Sequence, residues 1–250
     1  MSRVIASELL KLRTTRTFLT LMASAALLVA GVAVLGALLT TFEPNATPPG
    51  EDLTGIAWFA VPFALVLGLL AVTTEIRHGT ITPTLLTVPS RGRVIAAKVV
   101  AHLLAGFAIG VAALAADLVL VEVILSSRGI ESGTSFSELV RWGLGIAGSA
   151  ALLAGLGVGV GAVVRNQVGA LVAAFAWVFV LEPLLAAVPT IGDSIARFGV
   201  GGLLDALDGV DADSGENLLG QVPAGLLLAG YVAVFAVGGA ALLRRRDVTA

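Results

Sequence analysis

Long uncharged apolar runs separated by short polar stretches dominate the chain. Six of them, at about residues 18–40, 53–74, 94–125, 142–164, 168–188 and 222–243, have the length of membrane-crossing helices. A hydrocarbon core of about 30 Å takes roughly 20 apolar residues at 1.5 Å rise each. The pattern predicts an all-α integral membrane protein, residues 1–250 forming one transmembrane domain with six transmembrane helices. The first run exceeds the core of a signal peptide, and no A-x-A site follows it, so it reads as a retained span. The third run would extend about 48 Å as a helix, too far for one crossing. Its crossing is therefore placed between Lys98 and about Asp117, with the helix continuing outward past Glu122.

Charge gives these spans a direction. Alternate sides receive unequal shares of Lys and Arg: 12 of the 15 fall with the two termini and the 75–93 and 165 connections. Only Arg128, Arg141 and Arg197 fall on the other side, together with most of the acids, among them Glu43, Glu51, Asp52, Glu131, Asp205, Asp208, Asp211, Asp213 and Glu216. Basic loops stay in the cytoplasm, so both termini are expected there. An odd number of spans would scramble this separation by putting Arg244, Arg245 and Arg246 outside.

The segments between spans carry further pattern. Residues 1–16 place Val4, Ile5, Glu8, Leu9 and Leu12 at helical spacing among Arg3, Lys11, Arg13 and Arg16, the pattern of an amphipathic interfacial helix that bends near Thr14 or Thr15. A plain basic anchor is the alternative. The 75–93 loop holds Ile81, Leu85, Leu86 and Val88 between polar and basic residues, with Gly79 and Pro83 as punctuation. It reads as a short helix offering an apolar face to another protein or to the lipid surface. The 189–221 segment is acidic and predicts one or two short helices within residues 195–207, or a loose loop. G-x-x-x-G pairs at Gly106/Gly110, Gly155/Gly159 and Gly157/Gly161 mark close helix approach within a subunit or at a dimer seam.

Composition removes several function classes. Apolar residues make up 57% of the chain and charged ones 13%, with mean hydropathy +1.00, which leaves too little polar surface for a soluble enzyme. A net charge of -2 gives no case for nucleic acid as a partner. Cysteine is absent, so disulfides and thiolate sites are excluded. The only lysines, Lys11 and Lys98, follow Leu10 and Ala97, so no P-loop G-K-[ST] exists and no catalytic, cofactor or metal residue is assigned. Any ATP-driven activity must borrow a second polypeptide. Asp117, Glu122 and Glu182 are the acids within or beside spans, all toward the outer side; they are read as a pathway or gate, or as headgroup-level acids paired with arginine. Thirteen arginines against two lysines, with abundant Ala and Gly, point to a GC-rich bacterial genome.

The segments E-I-R-H-G-T and T-L-L-T-V-P-S-R-G-R-V-I-A-A-K, reached after two spans and preceded by S-E-L-L-K-L-R-T-T-R, resemble the membrane subunits of ABC-2-type transporters over essentially the whole chain. Glu75, Arg77, Gly79 and Thr80 match the E-x-x-x-G-T pattern, and Leu85, Leu86, Pro89 and Arg91 the L-L-x-x-P-x-R part. The resemblance implies a permease of an exporter in the bacterial cytoplasmic membrane. These eight residues would then form the coupling loop on which a cytoplasmic ABC ATPase docks, and residues 1–16 the connecting helix. It further implies a second six-span subunit, identical or homologous, with ATP and Mg bound by the ATPase. A mainly apolar interior suits an apolar or amphiphilic cargo. A non-transporting six-span scaffold or sensor component and an ATP-independent carrier are the competing readings.

Overall fold

In the computed structural model, which describes residues 1–39, 55–129, 135–209 and 218–245, every regular element is helical. The acids Glu43, Glu51, Asp52, Glu131, Asp211, Asp213 and Glu216, and Arg246, lie outside the described residues. Helix α1 (Ser2–Thr14) is followed by extended Thr15, the expected bend, and by α2 (Arg16–Leu39). A 3-10 turn (Gly55–Ala60) then leads into α3 (Val61–Arg77). The short α4 (Ile81–Thr87) precedes the long α5 (Arg91–Ser127) and α6 (Phe136–Val164). Next come α7 (Gln167–Ala176), a π-helical turn (Trp177–Leu181) and α8 (Glu182–Ala186). The short α9 (Gly192–Phe198) and α10 (Val200–Asp208) precede α11 (Gln221–Arg245). Among the described residues, six helical stretches are long and apolar enough to cross a membrane: 16–39, 55–77, 91–127, 136–164, 167–186 and 221–245.

These bounds depart from the apolar runs for local physical reasons. Arginines extend α2, α5 and α11 beyond their apolar runs, because helix hydrogen bonding continues past the point where hydropathy stops. The fifth span is not uniform. Pro183 has no N–H to give the carbonyl four residues back, at Phe179, and the chain widens into a π turn at Trp177–Leu181 before resuming as α8. The third apolar run is one unbroken helix of 37 residues that overshoots a single bilayer thickness.

Helix α6 is the centre of the bundle, with α3, α5 and α11 packed on it. Its glycines make this possible. A methyl group at Gly157 would lie 2.5 Å from the Leu65 carbonyl oxygen of α3. One at Gly159 would lie 2.7 Å from Phe235 Cβ of α11, and one at Gly110 of α5 would lie 2.7 Å from Ala147 Cα of α6. All three G-x-x-x-G pairs are thus spent on packing within this chain. A capping box closes the start of α6, where Ser135 and Glu138 satisfy each other's backbone N–H groups.

Helix α1, the last turn of α11 and the 78–90 connection sit at one end of the bundle, here the proximal end: α1 meets α5 there, and Arg244 lies beside Gly92. The 3-10 turn, α9 and α10 lie at the distal end.

A candidate coupling site at the proximal end

Four charged side chains from three helices form a closed ring. Glu8 of α1 contacts Lys11 at 2.7 Å and Lys98 of α5 at 2.8 Å. Glu75 of α3 contacts the same two lysines at 2.9 and 2.7 Å. Alternating signs leave the ring neutral, and it holds both lysines of the chain. The Lys98 side chain is 1% exposed and that of Glu8 3%, whereas Lys11 is 42% exposed and forms the outer member.

Removing an ion from water costs several kcal/mol, so a buried lysine persists only where its proton donors are met by carboxylates. Lys98 has one on each side. Burial pushes the Glu8 carboxyl upward, but Lys98 and Lys11 more than offset this and hold it below its ordinary 4.5. Burial pushes Lys11 downward, and Glu75 and Glu8 outweigh it to raise Lys11 above 10.5. Both shifts favour the charged forms of Glu8 and Lys11. Its neighbour His102, one turn along α5, has Nδ1 2.8 Å from the Lys98 carbonyl oxygen. Beside the ring lies a cavity of about 340 Å³ lined by Leu67, Leu70, Thr74, Thr80 and Thr84 among others.

The residues of the expected docking loop divide into two sets around this ring. Glu75 turns inward, into the ring. Gly79 has φ +68, which only glycine adopts without strain, and it reverses the chain between α3 and α4. Thr80 caps α4 by position, with its hydroxyl 3.4 Å from the Glu75 carbonyl oxygen. Ile81 is buried in a cluster with Val72, Ile95 and Leu243, and Leu85 packs against it. Leu86, 78% exposed, and half-buried Val88 lead outward to exposed Pro89. Arg77 donates to Gln167 Oε1 at the start of α7, and half-buried Arg91 opens α5. The loop is thus a short helix pinned by Ile81 and tied through Glu75 to α1 and α5.

The model of the family described as ABC-2 family transporter protein matches residues 4–181. The chain belongs to this family. No curated protein matches the chain. The match runs from α1 into the fifth span, as far as Leu181, so it includes every member of the ring. An ABC-2 permease is a multi-pass transport protein, and the family works in general with an ABC ATPase.

At the distal end of the permease two of the three acids of the expected gate accept from backbone N–H groups. Buried Asp117 accepts from the Ala57 N–H at 3.2 Å and ties the 3-10 turn to α5. Glu182 accepts from the Gly201 N–H, capping α10, whose own N-cap is Gly199. Glu122 is exposed, and five positions along a helix turns it away from the face that carries Asp117. Among the described residues none of the three forms an ion pair with arginine. A fourth acid carries no sequence signal that sets it apart from its neighbours: Asp208, at the end of α10, accepts from Ser149 Oγ of α6 at 2.9 Å. Burial, with a smaller push from Asp205 and against the Ser149 hydrogen bond, lifts the Asp208 carboxyl to about 7. Helix α10 is buried along Leu203, Leu204 and Leu207, so it is a packed distal cap.

No single sequence signal marks the ring: Glu8 and Glu75 are acids on a mostly basic side, and the two lysines of an arginine-rich chain meet them only in space. Read one span at a time, Lys11 and Lys98 serve only as topological charges.

Proposed function

We propose that the chain is the transmembrane permease subunit of an ATP-driven exporter in a bacterial cytoplasmic membrane, docking a separate cytoplasmic ATPase on α4. The observation that carries the reading is the ring. An exposed apolar helix, pinned by Ile81, is followed back within six residues to Glu75, whose carboxylate holds α1 and α5 together. A push on α4 is thereby delivered to α3, α5 and α1 at once. Leu85, Leu86 and Pro89 offer the docking surface, Arg77 and Arg91 flank it, Gly79 and Thr80 set its angle, and Glu75 is a positioning residue.

The ATPase binds ATP and Mg, and closure of its two copies drives two six-span subunits, identical or homologous, between arrangements. The apolar groove of about 680 Å³ lined by Trp58, Phe59, Phe175 and Phe179 supports an apolar or amphiphilic cargo passing along the subunit seam. Two of its rings meet edge-on, with Trp58 6.3 Å from Phe179.

The test is co-purification from the native membrane in mild detergent, with protein identification and an ATP hydrolysis assay. A stoichiometric ATPase that is lost from L86D, with the permease itself still monodisperse, is the expected result. Repeated absence of an ATPase around intact wild-type protein would replace this reading by a scaffold or a carrier.

A further inference from the structure

Apart from the ring, a groove of about 250 Å³ runs between α5 and α11 at the proximal end. Its walls are small or apolar: Ile95 and Ala96 from α5, and Ala236, Ala240 and Ala241 from α11. Ala236, Ala240 and Arg244 are spaced by four, one stripe of α11, so the apolar wall ends in a guanidinium. The groove opens sideways, where Val237 is 70% exposed in a helix that crosses the membrane. It is therefore a slot that faces lipid along its length and carries positive charge at one end.

That end is built for an anion. A methyl group at Gly92 would stand 3.2 Å from Arg244 Nη2, so the guanidinium lies against bare backbone in the first turn of α5. Arg244 is exposed and forms no ion pair among the described residues. Arg93 and Arg245 are exposed at the same end, and Arg91 neighbours Gly92 in sequence. A planar guanidinium grips phosphate with two parallel donors, and basic pockets between membrane helices select anionic headgroups.

We propose that this groove binds an anionic phospholipid of the leaflet at the proximal end, with an acyl chain along the alanine wall and the headgroup phosphate on Arg244. Charge complementarity selects the anionic class: a zwitterionic lipid brings its own cation to a mouth whose one charged lining residue is Arg244. The apolar length requires a lipid rather than a free phosphate. The site is independent of the ATPase reading, because it uses neither the ring nor α4.

The experiment takes the full chain into nanodiscs of phosphatidylcholine with a minor fraction of phosphatidylglycerol and measures, by native mass spectrometry, which lipid stays bound on release. Phosphatidylglycerol is expected to be retained several-fold above its share. R244Q lowers that enrichment about fivefold. A241F, which fills the exposed rim of the groove without entering the core, lowers it to a similar extent. R13Q removes an exposed charge from the same end of the molecule and leaves the enrichment unchanged. Equal retention of the two lipids overturns the proposal, and so does an R13Q loss as large as that of R244Q, which would mean a diffuse basic surface. Displacement by glycerol phosphate alone, together with full enrichment in A241F, would mean a phosphate site without a lipid slot and overturns it equally.

Discussion

Lys98 and Glu8 stand 2.8 Å apart although 90 positions separate them, and both side chains are almost wholly buried. This contact fixes the amphipathic N-terminal helix to the longest helix of the bundle. Hydropathy alone would leave α1 lying on the headgroups. The ion pair instead holds it to the ends of α3 and α5.

Breaking that contact from one side leaves a buried charge unmatched. Lys98→Met is expected to destabilise the protein by about 3–5 kcal/mol, and Glu8→Gln by a similar amount. The double variant K98M/E8Q is expected to lose clearly less than the sum. Thermal unfolding in one detergent across the four proteins gives the coupling directly, and strict additivity would show that the two residues do not act as a pair.

The ring also predicts a pH window. Glu8 titrates below 4.5 when folded, so its contribution is present above that value and is lost as pH falls through its lowered folded pKa. Lys11 titrates above 10.5, so its contribution is present below that value and is lost as pH rises through the raised one. The wild-type advantage over E8Q should thus be flat across neutral pH and shrink in acid. An advantage that grows on acidification would contradict the arrangement.

Asp208 behaves in the opposite sense. Its folded value of about 7 lies above its ordinary 3.8, so stability is fully present below 3.8 and is lost as pH rises through about 7. Asp208→Asn removes the titration, and its stability relative to wild type should climb from pH 4 to 7 and then level off. The full climb is on the order of 4 kcal/mol at most. A constant difference between the two proteins over that range would mean that the carboxyl does not titrate there.

Two glycines of α6 separate close packing from mere composition. Gly157→Leu would drive a side chain into the α3 backbone at Leu65 and is expected to cost about 3 kcal/mol or more, seen as loss of monodisperse protein. A methyl group added at Gly148 would have no neighbour within 4 Å, and Gly148→Ala should be tolerated. Equal sensitivity at both positions would argue against a glycine-built seam.

The architecture was largely legible in the sequence because it rests on composition: a bilayer leaves few options to a run of 20 apolar residues. Thr15 as the bend, Ile81 within a short loop helix and helices near residues 195–207 also follow local pattern. The π turn did not, since Pro183 announces a disturbance but not its form. The ring was hidden for a different reason. Glu8, Lys11, Glu75 and Lys98 are each unremarkable in their own segments, and only the way α1, α3 and α5 converge makes them one group. Asp117 and Glu182 stand out by their rarity as acids in apolar surroundings, yet capping the 3-10 turn and α10 is decided by backbone N–H groups that no charge pattern reveals.

The central helix α6 meets α3, α5 and α11 at several points through glycine against the backbone of the facing helix. Such seams have no room to exchange one residue for a larger one, so α6 is closed to diversification on three sides. Differences in what related permeases carry must then accumulate elsewhere, on surfaces where side chains are large and neighbours few. The aromatic slot between the 3-10 turn and the fifth span is such a surface. On the cargo route proposed above, substitutions in that slot would retune the cargo while the axle of the bundle stays unchanged.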